Sequence, residues 1–139
     1  MTRSGLVFMV ALTTALTTVL AGLQGTGLAV AGPPPPCSFT LSMPQLVQVA
    51  GVDVVTATLT PDECGPPAAP AQSVACLQMQ AGDRVTRCHP SDASGSAQVF
   101  LEPYVAGATY VATGRGCGAW IGQPPAPDCQ VLGPFSATL

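Results

Sequence analysis

The chain contains no lysine, a single histidine and little charge of either sign: 8% of its 139 residues are charged, and four arginines face seven acids for a formal net charge of −3. A surface that tracks phosphates needs clustered Lys and Arg, so nucleic-acid binding is excluded as an expectation. Aromatic residues are also scarce, at 5%, which leaves Ala, Val and Leu to build any core. Hydrophobic residues nevertheless make up 47% of the chain, the opposite of the composition that keeps chains disordered.

The apolar content is unevenly placed. Met1-Thr2-Arg3 precedes an uncharged run from Leu6 to about Leu23, and small residues follow up to Ala29-Val30-Ala31. This is the tripartite pattern of a secretory signal, with a positive start, an apolar centre and an A-x-A site for the peptidase. Cleavage is expected after Ala31. The alternative is an uncleaved anchor, since the run is nearly long enough to span a bilayer; Thr13, Thr14, Thr17, Thr18, Gln24 and Thr26 weaken it. No membrane span is expected in what remains. The expected organisation is therefore a signal peptide at 1–31, a proline-rich linker at 32–36 and one domain at 37–139. Losing Arg3 takes the formal charge from −3 to −4.

All six cysteines follow the signal: Cys37, Cys64, Cys76, Cys88, Cys117 and Cys129. An even number in a small exported domain reads as a disulfide framework. In an antiparallel hairpin, residues equidistant from the turn lie opposite one another. Cys37 and Cys64 are centred between residues 50 and 51, Cys76 and Cys88 on Gly82, and Cys117 and Cys129 on Gln123, each within a turn-like stretch. Sequential pairing 37–64, 76–88 and 117–129 follows. A metal site at Cys88 and His89 is the competing reading. An oxidising compartment consumes thiolates and there is no second histidine, so neither metal nor cofactor is expected.

Period-two alternation predicts strands near 38–42 continuing through 46–49, then 54–60, 73–80, 84–88, 97–102, 109–115 and 132–139, with no helix-period stretch outside the signal. Residues 61–70, 89–95 and 118–128 read as loops because of their Pro, Gly and Ser content. Seven short antiparallel strands predict an all-β, immunoglobulin-like sandwich with three disulfides.

Three resemblances accompany these patterns. Pro103-Tyr104-Val105-Ala106-Gly107-Ala108-Thr109-Tyr110 looks like the segment entering the sixth strand of fibronectin-III domains, where a tyrosine joins the core. The core tryptophan of those domains has no counterpart here, since Trp120 lies later. The Pro-Pro-Pro-Pro-Cys-Ser-Phe-Thr-Leu start, the Cys-Leu-Gln centre and the Gly-Arg-Gly-Cys segment resemble small secreted proteins of mycobacteria and related actinobacteria. That group has no assigned activity, so this resemblance implies compartment and fold class only. Cys88-His89-Pro90-Ser91-Asp92 with Ser94-Gly95-Ser96-Ala97 is similar to the middle of neocarzinostatin-type apoproteins. That likeness implies a sandwich carrying a small apolar molecule.

No catalytic residue emerges. His89 stands alone beside Pro90, no Gly-x-Ser-x-Gly elbow or phosphate-binding glycine loop occurs, and Asp62, Glu63, Asp83 and Asp92 read as turn residues. A non-enzymatic interaction module of the envelope or extracellular space is expected, contacting an unknown protein or envelope component. Its site would be the end where loops 61–70 and 118–128 emerge together with Pro33–Pro36. Trp120, Ile121, Pro124 and Pro125 are the candidate contacts, with Trp120 as a binding anchor or, equally, a structural cap over Cys117–Cys129. The alternative is a carrier of a small apolar ligand, in a cleft left by Ala112 and Gly114.

Overall fold

The computed structural model describes residues 35–80, 85–92, 95–123 and 128–139; the expected signal segment and the turn centred on Gly82 lie outside them. Eight strands are formed among the described residues: β1 (Cys37–Leu41), β2 (Gln45–Val49), β3 (Val52–Cys64), β4 (Ala68–Met79), β5 (Thr86–Asp92), β6 (Ala97–Leu101), β7 (Thr109–Trp120) and β8 (Asp128–Thr138). They make two antiparallel sheets. In the first, β3 carries β1 and β2 end to end along one edge and β6 along the other: Leu59 pairs with Leu41 on one side and Ala97 on the other, and Thr56 likewise with Gln45 and Phe100. The second has the order β5-β4-β7-β8.

The expected first strand is two strands, because the chain breaks pairing at 42–44, where Pro44 has no N–H to give. Ser42 holds the break by donating its N–H to Thr58 O at 2.9 Å and accepting the Thr58 N–H on its Oγ at 3.0 Å. One extra residue is taken up there on the β1–β2 side. A compensating residue is taken up on the β3 side between Cys37 and Phe39, so Cys37 returns to register with Cys64. The hairpin closes on Ala50 and Gly51, both at positive φ (50° and 83°), the two-residue primed turn that suits the twist of antiparallel strands.

All three disulfides join the expected pairs, Cys37–Cys64, Cys76–Cys88 and Cys117–Cys129, each directly across a hairpin with Cα atoms 4.0 Å apart. Each therefore lies within one sheet. Apolar packing holds the two sheets together, mainly through Phe39, Leu41, Val55, Ala57, Leu59, Ala75, Leu77, Val99, Leu101, Tyr110 and Ala112.

The two sheets meet closely where β7 is stripped of side chains. Gly114, Gly116 and Gly118 share a face, and β1 with Leu59 of β3 fills the space: a Cβ on Gly114 would stand 3.0 Å from Leu59 and 3.3 Å from Leu41, one on Gly116 2.2 Å from the Phe39 ring, and one on Gly118 2.8 Å from Cys37 Sγ. Small residues on one strand thus accept the large ones of the facing sheet, at the density that interiors require. Tyr110 is fully buried; its hydroxyl accepts from Val105 N–H at 2.8 Å and donates to Val105 O at 3.3 Å, pinning the 102–108 segment to β7.

Three expected loops are shorter than their composition suggests. β3 runs through Pro61 to Cys64 and β4 starts at Ala68, leaving 65–67 as the connection in place of 61–70; β5 continues through His89 and Pro90 to Asp92; and β7 extends to Trp120. The prolines are tolerated because each stands where its strand has a free side. β6 stops pairing with β3 at Leu59, β5 reaches β4 only from Gln72, and β5 is itself an edge. A missing N–H facing solvent breaks no ladder bond. No helix among the described residues is long and apolar enough to cross a membrane.

Candidate interaction site at the proline-rich tip

The N-terminal approach to β1, the β3–β4 connection and the end of β7 converge at one end of the fold. Pro36 is buried there and its carbonyl accepts the Gly65 N–H at 2.9 Å. Gly65 O accepts from Ala68 N–H at 2.7 Å, closing the 65–67 turn. Pro67 O accepts from Ile121 N–H at 2.8 Å, which ties the end of β7 to the same turn, and Gln123 N–H reaches Trp120 O at 3.3 Å. The Pro66–Pro67 peptide is cis.

Trp120 pairs with Ala68 in register, and its ring lies 3.8 Å from the position of a Cβ on Gly65. It therefore caps the Gly65 turn beside Cys64, while 39% of its surface stays open. Ile121 is 65% exposed, and Pro35, Pro66 and Pro67 at this end are exposed as well. An aromatic and an aliphatic side chain thus stand partly in water on a backbone held by the hydrogen bond to Pro67 and by the local turn to Gln123. Such a surface loses little entropy on being immobilised. Pro124 and Pro125 lie outside the described residues.

Three carboxylates border the tip. Asp62 and Glu63 are exposed near the end of β3; Thr40 Oγ1 donates to Asp62 Oδ2, and Ser38 Oγ bridges the Glu63 backbone, accepting from its N–H and donating to its O at 3.2 Å each. Asp128, also exposed, opens β8 opposite Gly118. Arg115 is the cation at this end among the described residues, its Nη2 3.3 Å from Cys129 Sγ.

The remaining chemistry-bearing residues gather elsewhere. A groove of about 610 Å³ is lined by Val52, Asp53, Arg87, Glu102, Pro103 and Tyr104, and a smaller one of about 280 Å³ by Arg87, Cys88, His89, Gln98, Val99 and Phe100. Both separate β5 from the other sheet, so they join residues that no local motif connects. His89 is exposed and stands opposite Ala75 on the β5 edge, in a strand where a loop was expected. Among the described residues no group of three His, Cys, Asp or Glu is arranged to hold a metal. Of the cleft expected at Ala112 and Gly114, the space beside Gly114 is occupied by the Leu41 and Leu59 side chains, and Ala112 is buried. Comparison with family models, curated proteins and solved structures found no match.

Proposed function

We propose that the chain is an exported, disulfide-stapled, immunoglobulin-like module without catalytic activity, and that it binds a protein or cell-envelope component through the proline-rich tip. The observation that carries this reading is the pair Trp120 and Ile121, exposed at 39% and 65% on a backbone fixed to Pro67. Rigid, partly exposed aromatic residues are the commonest anchors of interfaces. The division into β1/β2-β3-β6 and β5-β4-β7-β8 supports an order like that of fibronectin-III domains. The Tyr110 hydroxyl bound to the backbone of Val105 supports it too, as the tyrosine corner such sandwiches use. Export rests on the pattern of residues 1–31 and on three disulfides, which persist in oxidising compartments. The carrier reading is weaker, because leucines fill the space it needs.

Wild-type protein and the Ile121→Ser and Trp120→Ala variants, immobilised against extracellular and envelope fractions, test the reading. Both variants should lose whatever the wild type retains specifically; Ile121→Ser should keep a thermal midpoint near that of the wild type, while Trp120→Ala should lower it by removing the cap on Gly65. Retention by both variants, or a small molecule co-migrating with the secreted protein in native mass spectrometry, would remove the tip as the working surface.

A further inference from the structure

We infer that the partner surface recognised by the tip is cationic, an arginine- or lysine-bearing protein segment that seats apolar side chains on Trp120 and Ile121. This rests on the tip being the binding surface and adds the chemistry of what binds there. The charge distribution supplies the argument. Asp62 is three residues from Gly65 along a strand, about 10 Å at the usual rise, and Asp128 pairs with Gly118, two residues or about 7 Å from Trp120. These backbone spacings are on the order of a Debye length at about 0.1 M salt. Asp62, Glu63 and Asp128 are exposed, and against them stands the guanidinium of Arg115, turned onto Cys129 Sγ. Arg87 and His89 stand farther down β5, beyond its last pair, Asp92 with Gln72.

Apolar anchors with carboxylates on the adjoining strand ends repel an acidic partner and steer a basic one. The exposed indole adds to the preference, since a guanidinium or ammonium is drawn to an aromatic face. An isolated acidic cluster would attract any counter-ion. Here the apolar pair at the same end demands a partner with side chains to bury, which selects a basic polypeptide over a small cation.

The chain has one tryptophan, so its emission reports this site alone. The experiment titrates the secreted protein with a peptide of alternating arginine and leucine, and with glutamine–leucine and glutamate–leucine counterparts. The arginine peptide should shift the Trp120 emission saturably and bind about tenfold more weakly when salt rises from about 0.05 to about 0.5 M. The Asp62→Asn, Glu63→Gln, Asp128→Asn triple variant should lose about tenfold in affinity together with most of that salt dependence. The amides keep the acceptor used by Thr40, so folding is not at issue. Equal binding of the glutamine peptide, or an unaffected triple variant, overturns the cationic assignment and leaves the tip reading standing. Arginine-peptide binding with no change in Trp120 emission and no loss in Ile121→Ser overturns both. No binding of the arginine peptide overturns the assignment.

Discussion

At the scale of single residues, the inward glycines of β7 bear most directly on stability. A methyl group on Gly116 would fall inside the ring of Phe39, which is 6% exposed and has no room to retreat. Gly116→Ala should cost about 3 kcal/mol in urea denaturation, an overpacking penalty. Phe39→Leu in the same chain should recover part of it, because the two changes share one space and are not additive. Ser73 offers the opposite case. It is fully buried between Ser91 and Gly116 in register, and among the described residues its Oγ is the buried side-chain polar atom without a hydrogen-bond partner. Ser73→Ala should raise stability by about 1 kcal/mol, since it removes a desolvated hydroxyl and leaves almost no void. Neither residue was marked by the sequence, where Gly116 sat among many glycines and Ser73 in an alternating strand.

At the scale of elements, hairpin symmetry was readable and strand ends were not. The three cystines could be paired from midpoints alone because antiparallel pairing fixes which residues are equidistant from a turn. For Cys37 and Cys64 this held through two register shifts that offset each other. Proline was misleading for a physical reason: its missing N–H breaks a strand only where a neighbour needs that donor, and sequence does not show which strands have a free side. Two expectations follow. Ala50 occupies the left-handed first position of the β2–β3 turn (φ 50°), a conformation that Asn tolerates better than Ala, so Ala50→Asn should raise stability by about 0.5–1 kcal/mol in thermal or chemical unfolding. Pro90 lies in the β5 edge. Replacing it by Thr should restore a solvent-facing donor and promote self-association, visible as a concentration-dependent mass in light scattering.

At the scale of the whole molecule, each sheet is cross-linked internally while no disulfide joins the two sheets, whose contact rests mainly on apolar burial. The Cys37–Cys64 bridge closes 27 residues and each of the others 12. Loop-closure entropy therefore predicts that a paired Cys→Ala change at 37 and 64 costs about 0.7 kcal/mol more than at 76 and 88, on a base of about 2–4 kcal/mol each. Packing of Cys37 against Gly118 at the sheet junction adds to the difference. Urea midpoints of the three double variants would test the order, and a smaller loss at 37 and 64 would contradict it.

The sequence by itself determined the all-β class, the pairing of the cysteines and a core of small aliphatic residues. These follow from period-two alternation, turn symmetry and composition, which are local or pairwise properties of a chain. The tertiary structure decided that proline-bearing segments continue as strands, that leucines fill the space beside Gly114, and that Trp120 caps Gly65 with part of its ring left in water. Each of these depends on which strand faces which across the two sheets. That information arises only when distant segments pack against one another.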